Sequence, residues 1–162
     1  MNGIEKAKQM RNIVERLAAK IPGFKGFVER ETRREVDAME RQVMAVNLSD
    51  IRTALLRKLE TGGLEGLQLL GETEKTLDGL AQEVRYADYG YTGFFDVAKI
   101  HEAQLDQVYQ FDLDFFAAIE ALKTLVDGTT APDALLAKVR ELQTTFGRRK
   151  SLLLQVVGEV KA

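Results

Sequence analysis

An apolar spacing of three to four residues recurs along most of this chain, and little interrupts it. Such spacing places apolar side chains on one face of an α-helix, whereas a half-buried β-strand needs strict alternation. No alternating run of β-branched residues is long enough for a convincing strand. Only two prolines occur, Pro22 and Pro132, and each stands at a helix boundary. The chain is therefore predicted to be all-α.

Glycine, proline and N-capping residues divide this pattern into five predicted helices. Residues 47–50 include N-capping side chains, which would permit a break, but a continuous second helix is favoured. The four later helices are each about 25 to 35 residues long and their connections are short. These lengths predict an antiparallel up-and-down bundle of four long helices plus an N-terminal amphipathic helix. The predicted ranges are about 2–21, 25–59, 64–88, 97 or 101 to 126, and 132–160.

The chain length of 162 residues predicts a single domain, 1–162. Within it, the basic helix of residues 1–21 either packs on the bundle or extends from it as an arm. The N-terminus has charged residues throughout and no apolar h-region, so a secretory signal is not expected. No uncharged apolar run reaches the length of about 18 residues that a membrane span requires. We therefore expect a cytoplasmic protein.

Residue patterns that support catalysis or metal binding are missing from the sequence. The chain has no cysteine and one histidine, His101, and it lacks the Glu-x-x-His motif of carboxylate-bridged di-iron bundles. No serine lies in a Gly-x-Ser-x-Gly elbow, and residues 61–66 lack the Lys-Ser/Thr pair of a phosphate-binding loop. We therefore predict no catalytic residue, no metal and no cofactor, and leave small-molecule binding open.

Nine of the twelve aromatic residues lie between Tyr86 and Phe116, and they are concentrated in residues 86–96. Gly90 and Gly93 let the backbone of this segment turn tightly between the flanking rings. The segment is interpreted either as an ordered connection that caps one end of the bundle or as a surface that binds a partner. The predicted partner-binding residues are Tyr86, Tyr89, Tyr91, Phe94 and Phe95.

Asp112 lies on the predicted core stripe of the fourth helix, in line with Tyr109. A buried carboxylate needs a partner, because removing a charge from water without compensation is strongly unfavourable. Arg149 occupies a position on the apolar stripe of the fifth helix. We predict a structural buried ion pair between Asp112 and Arg149, or between Asp112 and an arginine of the second helix such as Arg34. The competing interpretation is a ligand-binding or catalytic site in the bundle core near Asp112 and Tyr109.

Charge is distributed unevenly: residues 1–59 carry a net +5, residues 60–127 a net −10 and residues 128–162 a net +3. One interpretation is that the basic first helix lies on the acidic middle of its own chain. The other is that it provides an arm or a membrane-binding surface. The basic residues of that surface are Lys6, Lys8, Arg11, Arg16 and Lys20.

Nucleic acid is disfavoured as a partner. The basic residues of the second helix, among them Arg41, are interleaved with glutamates and an aspartate, which weakens any field that would attract phosphates. The isoelectric point near 5.6 also argues against a nucleic-acid-binding domain.

Residues 21–27 read Ile-Pro-Gly-Phe-Lys-Gly-Phe, residues 33–37 read Arg-Arg-Glu-Val-Asp, and residues 85–96 read Arg-Tyr-Ala-Asp-Tyr-Gly-Tyr-Thr-Gly-Phe-Phe-Asp. Together these segments resemble an uncharacterised group of bacterial all-helical proteins. The resemblance implies a helical fold and a bacterial cytosolic setting, and it brings no activity with it.

The patterns together predict a non-enzymatic protein-interaction or assembly protein that binds a protein partner or associates with itself as an oligomer. Long bundle helices suit this function because they bring large surfaces together. The alternatives are a peripheral membrane protein that docks through its basic N-terminal helix, and a ligand-binding or enzymatic bundle with a core site near Asp112.

Overall fold

A computed structural model describes residues 2–23, 30–63, 65–87 and 102–161 of the chain. These residues form α-helices and turns with no strand among them, so the predicted all-α class is confirmed. The helices in the described part are α1 (Gly3–Lys20), α2 (Arg30–Thr61), α3 (Leu67–Arg85), α4 (Glu102–Asp127) and α5 (Pro132–Lys161).

The helix boundaries follow local capping signals. At the start of α1, the Asn2 side chain accepts a hydrogen bond from the Glu5 backbone N–H at 2.9 Å, and the Glu5 carboxylate accepts one from the Asn2 N–H at 3.0 Å. This reciprocal capping box satisfies two N–H groups that would otherwise be unpaired. α2 continues through residues 47–50 without a break, as expected. α3 has 19 residues and is shorter than predicted.

The turn between α2 and α3 depends on Gly66, the residue before α3. Its φ of 76° lies in the left-handed region, which residues with a Cβ rarely adopt. A Cβ added there would lie 2.7 Å from Cγ of Pro132, the first residue of α5. Glycine at position 66 therefore lets the start of α3 approach the start of α5 closely.

The chain divides into two compact units, and α2, α4 and α5 each contribute a segment to both. Unit 1 comprises Met1–Glu40, Asp88–Asp114 and Gly147–Ala162. In its described part, the buried apolar side chains are Ile13, Leu17, Ile21, Val108, Tyr109, Leu113 and Leu153. The predicted single domain over residues 1–162 stays a prediction.

The face that α1 buries differs from the predicted one. Helical spacing assigns Ile4, Ala7 and Ala18 to the buried face of α1, but the structure exposes all three. Ile13, which the predicted stripe omits, is buried together with Leu17. Ile4 and Ala7 lie in the first half of α1, where every described side chain is exposed, whereas Ala18 lies beside the buried Leu17 in the second half. The buried face of α1 is therefore both shorter than the predicted stripe and shifted to include Ile13.

Unit 2 comprises Arg41–Ala87 and Phe115–Phe146, and its core is largely apolar. The ring centroids of Phe115 and Phe146 lie 5.5 Å apart, with the ring planes tilted by 45°. This tilted arrangement is favourable for two aromatic quadrupoles. Other fully buried side chains of unit 2 include Leu48, Leu55, Leu77, Leu80, Phe116 and Ile119.

Ion pairs at the surface of unit 2 connect its helices. Nε of Arg52 on α2 lies 2.5 Å from Oε1 of Glu74 on α3, and Arg140 of α5 pairs with Glu72 of α3. The Arg140–Glu72 pair is largely solvated, so it contributes at most about 1 kcal/mol to the free energy of unfolding. In the Arg52–Glu74 pair, Glu74 is only 15% exposed. The apolar core, rather than these pairs, therefore stabilises unit 2.

Candidate functional site

Unit 1 contains four charged side chains in its core, which we call the Arg149 cluster: Arg149 of α5, Asp112 of α4, and Asp37 and Glu40 of α2. Arg149 Nε donates to Asp112 Oδ1 at 2.8 Å, and Arg149 Nη2 donates to Asp112 Oδ2 at 3.2 Å. Two hydrogen bonds of this kind hold a guanidinium and a carboxylate in one plane. The structure thus brings together the two residues that the sequence analysis pairs. The side chain of Arg34, the alternative partner, lies outside the described part.

The same guanidinium also contacts α2. Arg149 Nη2 donates to Asp37 Oδ1 at 2.7 Å, and it lies 3.7 Å from Glu40 Oε2, which is beyond hydrogen-bond distance. The Asp112 and Glu40 side chains are fully buried, and the Arg149 and Asp37 side chains are only 6% and 7% exposed. One arginine therefore connects α5 with both α2 and α4.

Burial and charge act in opposite directions on Arg149. Removal from water alone would lower the pKa of its guanidinium, but the carboxylates of Asp112 and Asp37, followed by Glu40, raise that pKa well above its ordinary value. Arg149 is therefore a permanent cation. Its loss would leave uncompensated negative charge in a region of low dielectric constant.

Glu40 is the member of the cluster that lacks a donor. Among the described residues, no donor lies within hydrogen-bond distance of either of its carboxyl oxygens. Burial raises the pKa of Glu40 well above its ordinary value. The charge of Asp112, and the hydrogen bond that a protonated Glu40 can donate to it, raise this pKa further, and the opposing influence of Arg149 is smaller. A proton on Glu40 would therefore find an acceptor in the carboxylate of Asp112.

The cluster offers a fixed cation, two hydrogen-bonded carboxylates and one carboxyl group that can hold a proton. Both oxygens of Asp112 accept hydrogen bonds from Arg149, and Asp112 has no exposure to solvent. This geometry suits a structural pair, because a catalytic acid or base must reach the proton that it transfers. Within the described ranges, no group of three or more His, Asp or Glu side chains is arranged to hold a metal ion.

The predicted basic surface of α1 reaches solvent. The basic side chains of α1 that the structure exposes are Lys8, Arg11 and Arg16. Lys20 is half-buried, and the side chain of Lys6 lies outside the described part. Arg11 Nε lies 3.0 Å from Glu15 Oε1, one helical turn further along α1. The surface is therefore basic with one local ion pair.

The N-terminal half of α1 makes little buried contact. Every described side chain from residue 2 to residue 12 is exposed, and Ile4 is 69% exposed. An open depression of about 440 Å³ in unit 1 adjoins this half of the helix. It is lined by Gln9, Ile13, Gln107, Gln110, Phe111, Asp114 and Leu152. Polar amides and an aromatic ring thus lie beside the exposed turns of α1.

Of the predicted aromatic site, the structure describes one residue. Tyr86 directly follows α3 and is 72% exposed. Tyr89, Tyr91, Phe94 and Phe95 lie outside the described residues. Whether the segment binds a partner or caps the bundle therefore stays a prediction.

The C-terminus of α3, from which Tyr86 projects, is held by Arg41 of α2. Arg41 is buried, and its Nη1 donates to the carbonyl oxygens of Arg85 at 3.0 Å and Val84 at 3.5 Å. These carbonyls belong to the last helical turn, which has no intrahelical donors for them. The positive charge also complements the negative end of the helix dipole. Arg41 consequently does not belong to an exposed basic patch.

The sequence analysis misses Asp37 and Glu40. Met39, between these two buried residues, is 37% exposed although it is apolar. Steps of three or four residues back from the buried apolar positions of α2 lead to positions 41, 40 and 37. Those apolar positions are Leu55, Ile51, Leu48 and Met44. The spacing of the apolar residues therefore predicts that positions 37, 40 and 41 are buried. The prediction is missed because charged residues are usually assigned to the solvent face of a helix.

No helix in the described part is long and apolar enough to cross a membrane. The chain matches no protein-family model, no curated protein and no solved structure. A functional interpretation therefore depends on the geometry of the described residues.

Proposed function

We propose that this chain is a non-enzymatic interaction or assembly protein that binds a second protein chain, either a partner or another copy of itself, through α1. One observation carries this proposal: α1 is helical from Gly3, yet its described side chains are buried only from Ile13 onward. A helix of a globular domain usually buries an apolar stripe along its length. The N-terminal half of α1 is therefore a formed helix whose surface is available for binding.

The chemistry of this surface favours an acidic protein partner. Lys8 and Arg11 supply positive charge, Ile4 supplies an exposed apolar side chain, and Gln9 borders the depression. Charge complementarity across an interface accelerates association and selects partners. The middle of the same chain, residues 60–127, carries a net charge of −10, so a second copy offers a surface of the required sign.

Tyr86 supports a second contact point. Its ring is 72% exposed, and it follows a helix end that Arg41 stabilises. Tyrosine is enriched at binding hot spots because its ring gives contact area and its hydroxyl gives a hydrogen bond. An exposed tyrosine at a fixed helix end therefore suits protein recognition.

A membrane surface is the second candidate partner, and the exposed basic residues of α1 favour it. Amphipathic helices that bind membranes insert their apolar face into the lipid. However, Ile13 and Leu17 of α1, and Ile21 directly after it, are buried within unit 1. Because these three apolar side chains are not available to lipid, a protein partner is favoured over a membrane.

Charge reversal on α1 tests the proposal without removing its core residues. The double variant Lys8→Glu/Arg11→Glu changes two exposed side chains, and its matched control is Arg57→Glu/Arg148→Glu, two exposed arginines of α2 and α5. We expect light scattering on a sizing column to show an oligomer of the unmodified protein at low salt. The α1 variant should be shifted towards monomer, whereas the control should not, and high salt should weaken association of both.

A monomer under all these conditions would rule out self-association. The immobilised protein would then be used to capture a partner, and loss of capture by the α1 variant alone would support binding of a different chain. Sedimentation with anionic vesicles that the α1 variant abolishes, without any protein–protein association, would support the membrane instead. Identical behaviour of both variants in every assay would overturn the role of α1.

A further inference from the structure

The Arg149 cluster contains three carboxyl groups and one guanidinium. The carboxyl groups are those of Asp37, Glu40 and Asp112, and they surround the guanidinium of Arg149. If all four groups were ionised, these four side chains together would carry two more negative charges than positive charges. Buried charges need both a counter-ion and hydrogen bonds, because little water is present to solvate them.

The hydrogen bonds show which carboxyl group is poorly accommodated. Arg149 donates two hydrogen bonds to Asp112 and one to Asp37. It donates none to Glu40, whose Oε2 lies 3.7 Å from Arg149 Nη2. Glu40 is also fully buried, so bulk solvent does not supply the missing donor. Of the three groups, Glu40 therefore gains least from being ionised.

We propose that the carboxyl group of Glu40 is a proton-binding site in the core of unit 1. This group holds a proton at neutral pH and, through it, donates a hydrogen bond to the carboxylate of Asp112. The proton lowers the negative charge of the cluster and provides the hydrogen bond that Glu40 lacks. α2 is thereby joined to α4 through Glu40 and Asp112, and to α5 through Asp37 and Arg149. Release of the proton in alkaline solution breaks the first of these connections and loosens unit 1.

The electrostatic environment agrees with this assignment. The charged groups that act on Glu40 among the described residues are Asp37 on its own helix, Asp112 on α4 and Arg149 on α5. Burial raises the pKa of Glu40 well above its ordinary value, and Asp112 raises this pKa further. Arg149 lowers it by a smaller amount, and Asp37 has the smallest influence, which raises it. The proposal does not depend on the binding role of α1, because it concerns side chains inside unit 1.

The direction of the pH effect follows from proton linkage. The folded chain binds one more proton than the unfolded chain at every pH between the unfolded glutamate pKa, about 4.3, and the raised pKa of Glu40. The contribution of Glu40 to the free energy of unfolding is therefore complete below that window and is lost as pH rises through it. One linked proton changes the unfolding equilibrium constant by up to about tenfold per pH unit.

The variant Glu40→Gln tests the proposal, because glutamine has nearly the shape of a protonated glutamate and cannot ionise. Denaturant unfolding of the intact chain would be measured from about pH 5 to 9, with exposed Glu83→Gln on α3 as the matched control. We expect the unmodified protein and the control to lose stability with a similar slope as pH rises. Glu40→Gln should have a flatter slope and be the most stable of the three in alkaline solution.

The side-chain carboxyl ¹³C resonance of Glu40 in the unmodified protein gives an independent measurement, assigned by its absence from the Glu40→Gln spectrum or through backbone correlations. A resonance typical of a protonated acid at pH 7 supports the proposal. A resonance typical of an ionised carboxylate at pH 7 overturns it, as does a pH slope of Glu40→Gln equal to that of the unmodified protein. If Glu40→Gln does not fold, the resonance of the unmodified protein still decides.

Discussion

Unit 2 packs leucine, isoleucine and phenylalanine side chains around α3, whereas unit 1 includes one arginine and three carboxyl groups among its apolar residues. In the described part of unit 2, the buried polar side chains are Arg41 and Thr73. Apolar burial is non-directional and tolerates changes of register, whereas hydrogen-bonded charges demand one geometry. The comparison indicates that unit 2 supplies stability and that unit 1 gives up some stability for defined positions of α2, α4 and α5.

The two buried arginines make the same contrast at the level of single residues. Arg41 in unit 2 donates to neutral carbonyl groups at the end of α3. Arg149 in unit 1 donates to two carboxylates and lies close to a third carboxyl group. The contacts of Arg41 with these carbonyl groups are therefore insensitive to the protonation of acidic residues, whereas the contacts of Arg149 with its carboxylates depend on it.

The largest effect is expected from Arg149→Met. The substitution removes the guanidinium that pairs with the buried Asp112 and Asp37, so the free energy of unfolding should fall by about 3–5 kcal/mol at neutral pH. Part of this loss should be recovered as pH falls, because protonation removes the uncompensated charges. Urea unfolding at several pH values measures both effects. Arg148→Met, which removes an exposed arginine next in sequence, is the control and should change little. A loss below about 1 kcal/mol would contradict the special role of unit 1.

Leu122→Ala in unit 2 should lower the free energy of unfolding somewhat less than Arg149→Met does. Its effect should also depend on pH in a different way. Leu122 is fully buried, and truncation leaves a cavity, so we expect a loss of about 2–4 kcal/mol. Because no ionisable group is removed, the loss should be nearly the same at each pH used for Arg149→Met. A strong pH dependence of the Leu122→Ala effect would break the distinction between an apolar and a charged unit.

Arg41→Met should lower the free energy of unfolding by an intermediate amount, about 1–3 kcal/mol, because the carbonyl groups of Val84 and Arg85 lose this hydrogen-bond donor. Amide hydrogen exchange near the end of α3 should increase, since this turn loses its stabilising contact. Arg57→Met, at an exposed position of α2, provides the control. Equal exchange rates in both variants would mean that Arg41 does not hold the end of α3.

Arg11→Ala should change the free energy of unfolding least, by less than about 0.5 kcal/mol, although Arg11 also forms an ion pair. Both Arg11 and Glu15 are mainly exposed, so water compensates for the lost contact. Thermal unfolding of Arg11→Ala beside Arg149→Met would separate the influence of burial from that of charge. A large destabilisation by Arg11→Ala would show that exposed pairs on α1 matter more than their solvation suggests.

Much of the helical architecture could be predicted from the sequence, because helix periodicity is a local signal. The stripe of α5 places Arg149 among core residues, and the stripe of α4 does the same for Asp112, which is where the structure has them. α1 shows the limit of this reasoning. Its periodicity selects Ile4 as readily as Leu17, but only Leu17 meets another part of unit 1. Which turns of a helix find a partner depends on tertiary contacts that periodicity does not contain.

The candidate site could be predicted only in part, for a different physical reason. One pair, Asp112 and Arg149, can be proposed because each interrupts an apolar stripe. Asp37 and Glu40 lie in a run of α2 where charged residues alternate in sign, and such a run is typical of a solvated face. Their burial is favourable only because Arg149 reaches them from another helix. A property that depends on residues distant in the chain is not visible in a single segment.

The contact between Arg149 and Asp37 joins residues 112 positions apart, whereas the Arg52–Glu74 pair of unit 2 spans 22 positions. During synthesis, every segment of unit 2 is available once residue 146 has left the ribosome, and Arg149 follows only then. Closing the longer loop also costs more chain entropy, which slows folding. We therefore expect the nascent chain to fold unit 2 first, while Asp37, Glu40 and Asp112 are still without their counter-ion. The last part of α5 to be translated then supplies Arg149, the cation with which Asp37 of α2 and Asp112 of α4 pair in unit 1.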